Sequence, residues 1–133
     1  ESLTLAPILA HPNDNEEYVL YTDTFHLAMG AILIQKGNNG VEHVIEYASR
    51  TTNAAEKNYT ITELECAAIV WAIKKFYLYL HGLQFTIVTD HSALTYLKSI
   101  VNPTGQMAHY IMILQGYNFV VKHKSGKQLF HVD

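Results

Sequence analysis

Two apolar runs in this chain end on the same pair of residues. Val19-Leu20-Tyr21-Thr22-Asp23 and Thr86-Ile87-Val88-Thr89-Asp90 both read as strands that stop at Thr-Asp. Between them, Thr62-Glu63-Leu64-Glu65 opens the longest helical stretch. If the two strands are neighbours, acids at their ends and one from the helix start can converge on one point. Converging carboxylates form an oxygen-only donor set, which suits hard divalent cations. The pattern therefore points to a metal-dependent enzyme.

The rest of the chain supplies the frame for such a site. Residues 18–23, 28–36 and 42–48 read as three strands, with Lys36-Gly37-Asn38-Asn39-Gly40 as the turn before the third. Short connections make these an antiparallel meander. Residues 62–80 follow helical spacing and stop at His81-Gly82, where glycine suits the position after a helix. A strand over 84–89, helices over 92–98 and 103–115, and a last strand over 117–123 complete the order β-β-β-α-β-α-α-β. The crossover helix lets the fourth strand lie parallel to the first. The expected fold class is α/β: a mixed five-stranded sheet, its first three strands antiparallel and its fourth and fifth parallel to the first, with helices packed on it. Pro7, Pro12 and the polar run Asn13–Glu17 make residues 1–17 a connector, and 18–133 the domain.

Bulk properties exclude several classes. The chain has 133 residues, enough for one domain with a real core. Its longest apolar run, Ala67 to Ile73, is too short to span a bilayer, and no signal-peptide pattern opens it. One cysteine, Cys66, rules out an internal disulfide and a Cys-rich zinc site, and fits a reducing compartment. The net charge of −3 does not advertise a nucleic-acid binder. Lys122, Lys124 and Lys127 nevertheless form a local basic cluster. It is either a solvated loop or a patch that holds a phosphate backbone.

Each acid has a structural alternative. Asp23 and Asp90 could merely end strands or cap the following turn, although two copies on neighbouring strands weaken that reading. Glu65 could close a capping box with Thr62. Helix geometry argues otherwise. At about 100° per residue, Ile61, Ala68, Ile69, Ala72, Phe76 and Leu80 share the face of Glu65, while Glu63 falls opposite, with Lys74. Glu65 thus lies on the core-facing stripe, where a bare carboxylate is costly. Thr60 with Glu63 can supply the capping box instead. His123, among lysines after the last strand, is a surface residue or a mobile proton shuttle. His91 reads as structural, because hard metals prefer oxygen. Met29, Met107 and Met112 read as core filler. Asp133, the last residue, has no context that assigns it a role.

Longer motifs add a family resemblance. Leu5-Ala6-Pro7-Ile8-Leu9, Ala28-Met29-Gly30-Ala31-Ile32-Leu33-Ile34-Gln35, Ala48-Ser49-Arg50-Thr51, Ala55-Glu56-Lys57-Asn58-Tyr59, the helix from Glu63 to Phe76, and Phe85 to His91 run over nearly the whole length. Together they resemble the RNase H domain of reverse transcriptases from gypsy-type LTR retrotransposons, a part of the Pol polyprotein. The resemblance implies an RNase H-like fold. It also implies an endonuclease that cuts the RNA strand of RNA–DNA hybrids, leaving 5′-phosphate and 3′-hydroxyl ends. It carries four metal-binding acids onto Asp23, Glu65, Asp90 and Asp133, with two Mg²⁺ ions as cofactors and Mn²⁺ able to substitute. The spacing from His123 to Asp133 is that of a catalytic histidine to the last aspartate in related enzymes. The implied partners are the hybrid and the polymerase domain of the same polyprotein, inside the cell in cytoplasm or a virus-like particle, with no membrane. In the family the last acid opens a further segment, so the domain is expected to be truncated at Asp133. The chain departs from the family pattern at Asp23-Thr24-Phe25, and at Gln106, His109 and Tyr110, none of which is one of the four acids.

Overall fold

The computed structural model describes residues 16–25, 27–37, 40–99 and 105–123. Five strands form one sheet in the order β3-β2-β1-β4-β5. β1 (Glu17–Phe25), β2 (Ala28–Lys36) and β3 (Glu42–Thr51) are an antiparallel meander. β4 (Gln84–Thr89) pairs in parallel with β1, and β5 (Asn118–His123) in parallel with β4. The α/β class and the mixed sheet follow the expectation. β2 and β4 match the sequence reading residue for residue. β3 runs on to Thr51, three residues further than its apolar pattern suggests. β1 begins at Glu17, at the edge of the expected connector, most of which lies outside the described residues.

Between β3 and β4 come a single 3₁₀ turn (Glu56–Asn58), α1 (Ile61–Lys75) and α2 (Tyr77–Leu80). The sequence reads 62–80 as one helix. The chain instead breaks at Phe76, where φ is −102° and ψ 25°. No Gly or Pro marks the break. Phe76 is fully buried, and its ring packs edge-on against Tyr79 at 6.4 Å. Gly82 then follows α2 with φ of 77°, the left-handed conformation expected of glycine past a helix end. α3 (His91–Ser99) and α4 (Gly105–Gln115) complete the helices.

The core lies between α1 and one face of the sheet. Leu20, Leu33, Ile45, Phe85 and Ile87 from the strands meet Ala68, Ile69, Ala72, Ile73 and Phe76 from the helices, all fully buried. Each large side chain so buried contributes about 1.5–3 kcal/mol relative to leaving it in water. Two members of the expected core are not in it. Ile61 is 76% exposed, because it is the first residue of α1 and projects before the helix reaches the sheet. Met112 is 64% exposed, whereas Met29 and Met107 are core filler as read. Among the described residues no helix is long and apolar enough to cross a membrane.

Candidate active site

Strand register places the two Thr-Asp endings side by side. β1 and β4 pair as Val19 with Thr86, Leu20 with Ile87 and Tyr21 with Val88. One step further, the Thr22 hydroxyl donates to the Thr89 hydroxyl at 3.4 Å in the buried interior. The next residues are Asp23 and Asp90. Asp90 follows the last residue of β4, but β1 does not stop at Thr-Asp as the sequence suggests: it runs on to Phe25 because β2 continues to pair with it, with Asp23 opposite Gly30. Both acids lie toward the carboxyl-terminal end of β4, the side on which α/β sheets bind ligands. Asp23 is 9% exposed, and its Oδ1 accepts the Thr24 N–H at 2.9 Å. Asp90 is half-buried; its Oδ1 accepts the Ser92 N–H at 3.0 Å, and its carbonyl accepts the Ala93 N–H at 3.1 Å. Asp90 therefore caps the first turn of α3, directly after the strand that pairs with β1.

The capping question at α1 resolves in favour of Thr60. Its Oγ1 accepts the Glu63 N–H at 3.1 Å, and the Thr60 N–H donates to Glu63 Oε1 at 3.0 Å, a reciprocal capping box. Thr62 is not the cap, and Glu65 is not the box carboxylate. Glu65 sits two residues on, half-buried, with Oε1 closed off from solvent, on the helix that packs across β1. Glu63 is less wet than its angular position suggests: its Oε2 accepts the Tyr96 hydroxyl of α3 at 3.5 Å. Cys66 is fully buried, and its thiol donates to the Ala93 carbonyl at 3.2 Å. Burial, with Glu65 and Glu63 nearby, pushes that thiol up to about 12.

His123 is the last residue of β5 and pairs with Thr89, one residue before Asp90. It is exposed at the carboxylate end of the sheet. Lys122, paired with Val88, is exposed as well. Lys124, Lys127 and Asp133 lie outside the described residues, as does the His91 side chain. The elements thus bring Asp23, Asp90 and His123 to one sheet end, with Glu65 on the helix across β1. The donor set is all oxygen, the kind that hard divalent cations take. Among the described residues, however, no three His, Cys, Asp or Glu side chains close into a metal-holding group. Asp23 and Asp90 each turn an oxygen toward a local N–H.

One feature of this end escapes a reading of acids and periodicity. Arg50, the only arginine in the chain, forks onto Glu56 at 2.8 and 2.6 Å. Glu56 Oε1 also accepts the Asn53 N–H at 3.0 Å, and the Asn53 side chain accepts the Glu56 N–H at 2.9 Å. The guanidinium lies 5.5 Å from the Trp71 ring centre. Glu56 is only 5% exposed, and the guanidinium beside it holds its carboxyl below the usual value. A lone arginine six residues before a glutamate was the available signal.

The chain also has relatives of known kind. The family described as "RNase H-like domain found in reverse transcriptase" matches residues 13–117. This chain belongs to that family. It is 42% identical over 120 residues to the Pol polyprotein from transposon 412 of Drosophila melanogaster, covering 90% of this chain and 10% of the relative. The polyprotein from transposon gypsy of the same fly is 33% identical over 127 residues, covering 95% and 12%. The RNase H-like domain described here thus spans about a tenth of the length of such relatives. Its fold is shared with a foamy viral protease-reverse transcriptase in complex with dsDNA, at a TM-score of 0.72 and 13% identity, over 90% of this chain and 26% of that one. RNase H1 from Halobacterium salinarum shares it at 0.54 and 11%, over 81% and 85%.

Proposed function

We propose that this RNase H-like domain is an endonuclease that hydrolyses the RNA strand of RNA–DNA hybrids during reverse transcription. The observation that carries the reading is the parallel pairing of β1 with β4, which sets the strands bearing Asp23 and Asp90 side by side against the helix that bears Glu65, in a chain of this family. Asp23, Glu65 and Asp90, with Asp133, would hold two Mg²⁺ ions, and Mn²⁺ can replace them. Bound there, the cations supply Lewis-acid stabilisation of phosphate charge and a more acidic water. The chain's own groups do the remaining work. Oδ2 of Asp23 and Oε1 of Glu65 are shielded from solvent, which strengthens their pull on any cation that reaches them. The exposed imidazole of His123 can carry a proton to or from solvent. Lys122, Lys124 and Lys127 would neutralise backbone phosphates. RNA would be told from DNA by its 2′-hydroxyls and the hybrid's shape, without reading bases. The natural partner in cis is the polymerase domain of the same polyprotein, inside the cell or a virus-like particle.

A second reading is a silent domain that holds hybrid or supports the polymerase without cutting. The engagement of Asp23 Oδ1 and Asp90 Oδ1 by local N–H groups favours it. Incubation with labelled hybrid, with and without Mg²⁺, separates the two. Cleavage confined to the RNA strand of hybrid, sparing DNA and RNA duplexes and lost with EDTA, is expected. Tight hybrid binding with no cleavage in Mg²⁺ or Mn²⁺ would overturn the enzyme reading.

A further inference from the structure

The Arg50–Glu56 pair spans the two halves of the site. Across the sheet, β-register aligns Ser49 with Gly30 and Gly30 with Asp23. Arg50 is the next residue on β3; it pairs with Met29, which pairs with Thr24, so its backbone is fixed to the row directly after the one that carries Asp23. Glu56 is fixed to the other half. Its carbonyl accepts the Tyr59 N–H at 3.0 Å; Thr60 caps α1 through Glu63; and Leu64 N–H donates to the Thr60 carbonyl at 2.9 Å. Two hydrogen-bonded turns, Glu56 to Tyr59 and Thr60 to Leu64, thus join Glu56 to the residue before Glu65. Trp71, six residues after Glu65 on α1, stacks on the same guanidinium.

We infer that Arg50 and Glu56 are positioning residues, which clamp the first turns of α1 to the β3 end and so fix the Glu65 carboxylate relative to Asp23. The inference rests on the proposed metal-dependent cleavage. It also explains why the one arginine of the chain is committed to a carboxylate, when a protein meeting nucleic acid would otherwise aim it at phosphate. A planar fork stacked on a ring holds direction, which an ammonium does not.

Stability and positioning can be separated by removing one partner or both. Arg50→Met keeps a stem over Trp71 but leaves Glu56 without its fork; Glu56→Gln leaves Arg50 without its counter-charge. Each single change should lower Tm, because it strands a charge. The double variant Arg50→Met/Glu56→Gln strands none and should regain much of that Tm. Its site should stay misaligned. Mn²⁺ affinity, read by electron paramagnetic resonance on the protein without substrate, should be weaker by about tenfold or more in all three, the scale seen when groups behind metal ligands are removed. In hybrid cleavage kcat should fall similarly while KM barely moves. A double variant that recovers Mn²⁺ affinity and kcat together with Tm overturns the inference, since the pair would then be merely structural. Wild-type chain that binds Mn²⁺ weakly and cleaves nothing overturns the enzyme reading, and the inference with it. Wild-type cleavage beside an indifferent double variant overturns the inference alone.

Discussion

The Thr22 and Thr89 hydroxyls meet 3.4 Å apart inside the sheet, each one residue before an acid of the candidate site. This contact continues the β1–β4 register to the last residue of β4, while β1 runs on to Phe25 beside β2. Replacing either threonine by valine removes this hydrogen bond from a buried position. Thr22→Val or Thr89→Val should each destabilise by about 1 kcal/mol, and the double variant by less than the sum. Urea unfolding of the four proteins checks this. Additive losses would mean that the two hydroxyls do not depend on each other.

The acids should separate chemistry from folding. Asp23→Asn, Glu65→Gln and Asp90→Asn should each abolish hybrid cleavage, because each removes charge that the cations require. All three should fold, and relief of carboxylate crowding should raise Tm slightly. Asn at 90 can still cap α3, whereas Asp90→Ala should cost about 1 kcal/mol in addition. Circular dichroism melts run beside cleavage assays read both effects. Near wild-type cleavage by Glu65→Gln would remove Glu65 from the site.

Glu63 provides the internal control. It closes the capping box and meets Tyr96, two residues from the proposed ligand. Glu63→Gln should keep the box and most activity, while Glu63→Ala should cost about 0.5–2 kcal/mol of stability. If Glu63→Gln loses cleavage as Glu65→Gln does, the two carboxylates share the role.

Much of this was legible in the sequence. Period-2 runs and glycine turns located β2 and β4 residue for residue, and the crossover helix made β4 parallel to β1. Helical angles put Glu65 on the core side and gave the cap to Thr60. What failed did so for reasons that pattern cannot contain. Ile61 has the right angle but stands ahead of the sheet. Phe76 breaks the helix because its ring is drawn into the core, with no local sequence mark. Arg50 and Glu56 lie in a segment with no periodicity, and only tertiary contact with Trp71 shows what they do.

Acid should act through Glu56. Hydrogen bonding to Arg50 lowers its pKa, burial opposes this, and the Asn53 N–H adds to the lowering. A depressed carboxyl contributes stability that is fully present above its ordinary value near 4.5 and is lost as pH falls through the folded value. Tm should therefore fall on acidification below that range, and Glu56→Gln should flatten part of the slope. Scanning calorimetry from neutral to acid pH measures both curves. Parallel curves would show that other carboxylates govern acid unfolding.

Alkali should act through Cys66. Its thiol is buried, donates to Ala93, lies beside Glu65 and Glu63, and is raised from 9.0 to about 12. Because the folded value lies above the unfolded one, its contribution is intact below about 9 and is lost as pH rises toward 12. The folded protein should therefore resist iodoacetamide at pH 8, a pH at which an exposed thiol reacts. Labelling should follow the unfolding transition in urea. Cys66→Ala should loosen α3 from α1, with a loss of about 1 kcal/mol, and should leave the N-terminal cap of α1 intact. Rapid alkylation of folded protein at pH 8 would mean that the α1–α3 contact opens, and with it the first turn of α3 that Asp90 caps.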